Sequence, residues 1–177
     1  MYKPRQDSFL LEQYVKLAKG KVLDIGTGSG ILALTASKNP KVKSVLAVDV
    51  DKGSINYCEN NVHDKKVKFA VSNLFENVKG KFDTIIFNPP YLPNEREIDI
   101  QDKALYGGKK GYEIIERFLA EAKTHLNKDG VILLLFSSQT DKAKVDLIIK
   151  KSGFKSKLLE KKHVFFEDLY VYSLKLF

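Results

Sequence analysis

Lys21-Val22-Leu23-Asp24-Ile25-Gly26-Thr27-Gly28-Ser29-Gly30 decides the fold of this 177-residue chain. Lys21 to Ile25 reads as a buried strand, and glycines at alternate positions carry it directly into Ile31 to Lys38, a helical pattern that stops at Asn39-Pro40. Only glycine permits so tight a strand-to-helix turn with close backbone approach. Outward from this unit the alternation continues. Strands are predicted at Ser44 to Val48, Val67 to Val71, Phe82 to Phe87 and Gly130 to Phe136, with helices at about Gly53 to His63, Tyr112 to Leu126 and Thr140 to Ser152. Phe154 to Leu159 and Val164 to Leu176 close the chain as two strands near in sequence, which predicts a terminal antiparallel pair. Upstream, Phe9, Leu10, Tyr14 and Leu17 recur at helical spacing, giving a lead-in helix from Asp7 to Leu17 within residues 1–20. The expected architecture is α/β: a doubly wound, mainly parallel sheet of seven strands. No repeat or linker interrupts it, so residues 1–177 read as one domain.

Composition narrows the class. With 44% hydrophobic and 29% charged residues the chain belongs with globular domains. Its longest apolar run, Val131 to Phe136, is too short to cross a bilayer, and the polar opening Met1 to Asp7 shows no basic-then-apolar leader. A cytoplasmic protein with no membrane partner is expected. Cys58 is the single cysteine and has no ligand-spaced partner, so neither a disulfide nor a metal site is predicted. His63, His125 and His163 are scattered near element ends and are not expected to be catalytic. The formal charge is +8, almost all of it lysine beside Arg5, Arg96 and Arg117. A basic surface raises encounter with nucleic acid, so contact with RNA is one expectation, although dispersed lysines also serve solubility alone.

Polar residues follow the strands in series. Gly26, Gly28 and Gly30 form a backbone approach site spaced GxGxG, unlike the GxGxxG of dinucleotide folds, and no P-loop lysine follows. Asp49 closes the next strand, where a carboxylate can accept hydrogen bonds from a ribose diol. Asn73, past the third strand, could meet an adenine edge. The fourth strand ends in Asn88-Pro89-Pro90-Tyr91. Asn88 is pushed towards an extended backbone by the proline after it, and the prolines carry no N–H. The corner therefore offers acceptors without matching donors, which suits a planar group bearing an NH2. The plain alternative is a strand-to-loop stop signal.

These residues carry a resemblance. VLDIGTGSG with Asp49, Asn73 and NPPY resembles the class I S-adenosylmethionine-dependent methyltransferases, which are Rossmann-like. Within them the chain is similar to the HemK family of protein-glutamine N5-methyltransferases, in the archaeal and eukaryotic branch that methylates the GGQ glutamine of class I release factors. Tyr2-x-Pro4-x-x-Asp7-Ser8 resembles that branch's opening segment, and Gly107-Gly108-x-x-Gly111 its GGxxG before a helix. The resemblance spans essentially the whole chain. It implies that Ser8, Asp24, Gly26, Asp49, Asn73, Leu74 and Asn88 contact S-adenosylmethionine, with Gly28 and Gly30 completing the glycine turn. It also implies that Asn88, Pro89, Pro90 and Tyr91 hold the substrate amide. Many relatives have Asp at the position of Asn73, so an amide would replace a carboxylate there. Bacterial relatives carry a helical N-terminal domain for which this chain has no room.

The branch further implies a release factor as substrate and a small zinc-binding subunit as partner. A carboxamide nitrogen is a poor nucleophile. If Asn88 Oδ1 and the Pro89 carbonyl accept its two hydrogens, the nitrogen is aimed at the sulfonium methyl, with Tyr91 as a wall, and positioning alone can contribute on the order of 7–11 kcal/mol. An adenine amino group poses the same problem, so an adenine-N6 methyltransferase acting on RNA or DNA is the nearest rival. A lysine acceptor and a non-catalytic cofactor-binding scaffold are the others.

Overall fold

The structure is a computed structural model describing residues 3–93 and 107–177; Tyr2, Arg96 and most of the Pro93 to Lys110 stretch lie outside the described residues. Seven strands form one sheet: β1 (Gly20–Ile25), β2 (Val42–Asp49), β3 (Val67–Val71), β4 (Phe82–Phe87), β5 (Leu126–Ser137), β6 (Phe154–Val164) and β7 (Glu167–Leu176). Their order is β3-β2-β1-β4-β5-β7-β6. β1 to β5 are parallel, and β7 inserts antiparallel between β5 and β6. The doubly wound sheet with a terminal antiparallel pair is thus as expected.

Strand side chains alternate between faces. From β5, Ile132, Leu134 and Phe136 enter one core with α4 (Glu113–His125) and α5 (Lys142–Lys151), while Val131, Leu133 and Leu135 enter the other with α1 (Gln6–Glu12) and α2 (Ile31–Lys38). Burial on both faces is why these strands read as unbroken apolar runs. α3 (Lys52–Asn61) packs against β2 and β3, beside the start of α2. The lead-in helix is shorter than expected. α1 ends at Glu12, and the backbone tightens to i→i−3 bonds, Tyr14 N–H to Leu11 and Leu17 N–H to Tyr14, both 2.9 Å, leading into a 3-10 turn at Val15–Leu17. The buried face is accordingly Leu10, Leu11, Val15 and Ala18, with Phe9 and Leu17 half-exposed.

β1 and β4 are neighbours whose chains leave in opposite directions, β1 towards β2 and β4 towards β5. Ile25 pairs with both Val48 and Phe87, so the glycine turn, Asp49 and Asn88 begin at one level along the carboxyl edge of the sheet. That reversal point is where open α/β sheets bind ligands.

Candidate functional site

A cavity of about 730 Å³ opens at this edge. Gly26 and Gly28, Asp49, Asn73 and Leu74, and Asn88 to Leu92 line it together with Asp7 of α1 and Phe165 of the β6–β7 turn. Most residues singled out in the sequence therefore converge, from four strand ends. Ser8, Asp24 and Gly30 do not line it. Ser8 is buried beside Asp7, 3.4 Å from its Oδ1. Gly30 caps α2 at φ +80, where a Cβ would stand 3.1 Å from Cys58 Sγ and Val62 Cγ2, so its role is the seating of α2 on α3. Asp24 is wholly buried beneath the glycine turn, accepting from Thr27 Oγ1 at 2.6 Å. Burial pushes its carboxyl up to about 7, against the opposing Thr27 hydrogen bond.

Asp49 ties the turn to β2. Its Oδ2 accepts the Gly28 N–H and its Oδ1 the Asp51 N–H, both at 2.9 Å. Two oxygens with about four lone-pair positions keep capacity for two ligand hydroxyls. Burial raises the Asp49 carboxyl above its ordinary range, countered by those N–H bonds. Next along the edge, Ser72 Oγ donates to the Leu74 carbonyl at 2.9 Å and accepts the Asn77 N–H at 3.0 Å. Leu74 is thereby held at φ +50, facing the cavity beside Asn73. Cys58 Sγ lies 3.3 Å from the Gly28 carbonyl, and burial pushes the thiol up to about 11, so it serves as a neutral prop under the turn.

Asn88 is held by a residue the sequence reading left out of the site. Its Nδ2 donates to Asp7 Oδ2 at 3.0 Å. A carboxylate only accepts, so this bond fixes which way the amide faces. Oδ1 must then turn away from Asp7, and it is buried with no hydrogen-bond partner. An orphaned buried acceptor is costly unless a ligand supplies the donor. Asp7 stood out in the sequence only as the start of the lead-in helix and a motif residue, because nothing local signals a partner 81 residues away.

The NPPY corner is braced from behind. Gly107 N–H donates to the Leu92 carbonyl at 3.0 Å, and a Cβ on Gly107 would stand 2.4 Å from the Pro90 carbonyl oxygen. Gly111, at φ +84, would place one 2.4 Å from the Tyr91 carbonyl oxygen. Gly107 and Gly111 of GGxxG are thus the surface on which the corner rests. Among the described residues no histidine lines the cavity, and no group of three or more His, Cys, Asp or Glu could hold a metal.

Residues 6–166 match the family model of the methyltransferase small domain. The chain belongs to that methyltransferase family. A Methanocaldococcus jannaschii protein, named as a protein N5-glutamine methyltransferase, is 37% identical to this methyltransferase over 177 residues, covering 97% of this chain and 89% of that one. The release factor glutamine methyltransferase of Borreliella burgdorferi is 36% identical over 76% of this chain but only 50% of its own length. The methyltransferase thus spans about half the length of such bacterial relatives. In fold it is similar to one chain of the E. cuniculi Mtq2-Trm112 complex, which is described as responsible for the methylation of the eRF1 termination factor. The TM-score is 0.79 at 21% identity, over 99% of this chain and 98% of that one. Among the described residues of this methyltransferase no helix is long and apolar enough to cross a membrane.

Proposed function

We propose that this methyltransferase transfers a methyl group to the side-chain amide N5 of the GGQ glutamine of a class I release factor, and that S-adenosylmethionine is its methyl donor. The observation that carries the reading is the orphaned Asn88 Oδ1, fixed by Asp7 and unpaired until an N–H donor arrives. The names of the M. jannaschii and B. burgdorferi relatives support the glutamine acceptor.

The residues present fit the donor. Gly26 and Gly28 allow close approach, Asp49 would accept the ribose hydroxyls, and Asn73 and Leu74 would flank the adenine. Bound there, S-adenosylmethionine would supply a sulfonium-activated methyl. Ser8, Asp24 and Gly30 would act from behind this wall, and Asn88 would serve donor and acceptor alike. Asn88 Oδ1 and the Pro89 carbonyl then accept the two hydrogens of the incoming amide, turning its nitrogen towards the methyl. Polarising both N–H bonds raises electron density on that nitrogen, and Tyr91 walls the amide plane. The proton lost from the methylated nitrogen passes to water, so no histidine is required. A small zinc-binding subunit is the partner proposed for this chain, since the similar E. cuniculi structure is a complex.

An adenine amino group could meet the same two acceptors, and the +8 charge favours that second reading. The test supplies labelled S-adenosylmethionine with release factor or tRNA, with and without the small subunit. Label on the GGQ peptide is expected, and label on tRNA alone would overturn the glutamine acceptor. Asn88→Ala should abolish transfer while leaving donor affinity within a few-fold by calorimetry; full transfer by that variant would sink the mechanism.

A further inference from the structure

Two phenylalanines stand in solvent at the turn joining β6 to β7, Phe165 81% and Phe166 96% exposed. Phe165 also has φ +48, a left-handed backbone that bulky residues seldom adopt. Neither feature helps the chain fold, since Gly or Asn in this turn would relieve the strain and remove the apolar exposure. The turn is nevertheless pinned. Lys161 Nζ meets Asp168 Oδ2 at 2.9 Å and His163 Nδ1 meets Asp168 Oδ1 at 3.0 Å. The Asp168 N–H donates to Ser138 Oγ at 2.9 Å, and Ser137 Oγ donates to the Glu167 carboxylate. A fixed base at the end of β5 therefore presents two rings to water. Phe165, with Val164, Glu167 and Leu169, lines the same cavity as Asn88, so its ring stands at the mouth, and Phe166 follows it in the turn.

We propose that Phe165 and Phe166 are the docking element for the acceptor polypeptide, gripping the backbone of the segment whose side chain enters towards Asn88. This rests on the reading of the enzyme as an amide methyltransferase. A segment bringing an amide to Asn88 passes this rim, and aromatic side chains, with only two rotatable bonds each, lose little freedom on binding. Bases could stack on such rings too. The polypeptide is favoured because Lys161, on β6 just before the tip, turns back onto Asp168 and leaves the rings without that charge for phosphate, while Phe165 lines the cavity that holds Asn88.

The full chain is assayed with release factor as acceptor and labelled S-adenosylmethionine. Phe166 does not line the cavity. Phe166→Ala should therefore raise the KM for release factor by about tenfold, as loss of an aromatic anchor does, with kcat and donor Kd within about twofold. Phe165→Gly removes both ring and strain, so it should raise the Tm while also raising that KM, a combination a merely structural turn would not give. A KM unchanged in both variants overturns the docking role while the glutamine reading stands. A wild-type chain that labels tRNA and not release factor overturns that reading and the polypeptide occupant together.

Discussion

At the scale of single residues, the Asp7–Asn88 bond converts an amide into a directed acceptor. Without Asp7 the Asn88 side chain could present either its oxygen or its NH2 to the incoming group, and only one orientation accepts. Hydrogen bonds to charged groups contribute about 1.5–3 kcal/mol, so Asp7→Ala should lower kcat by roughly ten- to a hundredfold. Donor affinity by calorimetry should stay within a few-fold, and Asp7→Asn should fall between, since its oxygen can still accept. An unchanged kcat in Asp7→Ala would remove the positioning role. Asp24 gives a second residue-scale prediction through pH. Burial lifts its carboxyl from 3.8 to about 7, so between those values the folded state holds more protons than the unfolded one. Its contribution to stability is then fully present below about pH 4 and is lost as pH rises towards 7. Asp24→Asn should flatten that part of the pH–stability curve, as read by denaturant unfolding at pH 5 and pH 8. A wild-type curve no steeper than the variant's across that interval would count against the buried carboxyl.

At the scale of elements, the site depends on short segments whose backbone is held by their neighbours. The GGxxG segment was legible in the sequence as a motif, but its job was not. Only the folded chain brings Gly107 and Gly111 against the carbonyls of Pro90 and Tyr91. Gly111→Ala sets a Cβ 2.4 Å from the Tyr91 oxygen on a backbone already at φ +84, and the obstacle is backbone that cannot swing aside. The corner must shift, so methyl transfer should fall by at least about tenfold, a displacement of ångström size sufficing for such losses. Gly80→Ala is the control, since its φ of +87 imposes similar strain with nothing within 4 Å of the added methyl. Equal losses of transfer in the two variants would show that strain, and not support of the corner, is what matters. Strands and helices were legible because their apolar periods are local: α2, β3 and β4 lie where the pattern put them. The lead-in helix was misjudged because Phe9 and Leu17 fit a helical period, while the 3-10 turn moved the buried face to Leu11 and Val15.

At the scale of the whole molecule, the cavity is assembled from parts that no short stretch contains: four parallel strand ends, α1 and the β6–β7 turn. Strand-end residues such as Asp49 and Asn88 were readable because parallel sheets bind ligands at one edge. Asp7 and Phe165 were not, because their places depend on how α1 and the terminal hairpin fold back. One ligand touching all these parts should stabilise them together, since it binds the assembled edge and not the separated chain. At a free concentration a hundred times its Kd, such a ligand adds about 2.7 kcal/mol to unfolding. For a domain of about this size that corresponds to a Tm higher by roughly 5–10 °C. S-adenosylhomocysteine should produce this shift in wild type. Asp49→Ala should lose most of it at the same ligand concentration, because the ribose hydroxyls would lose the acceptor proposed for them and the Gly28 N–H loses its anchor. Asn88→Ala should keep most of it, because the role proposed for Asn88 is chiefly to aim the acceptor. Calorimetric scans of the three proteins with and without S-adenosylhomocysteine separate these roles. An unshifted wild type would refute the donor site, and an Asp49→Ala shift equal to wild type would refute the ribose assignment alone.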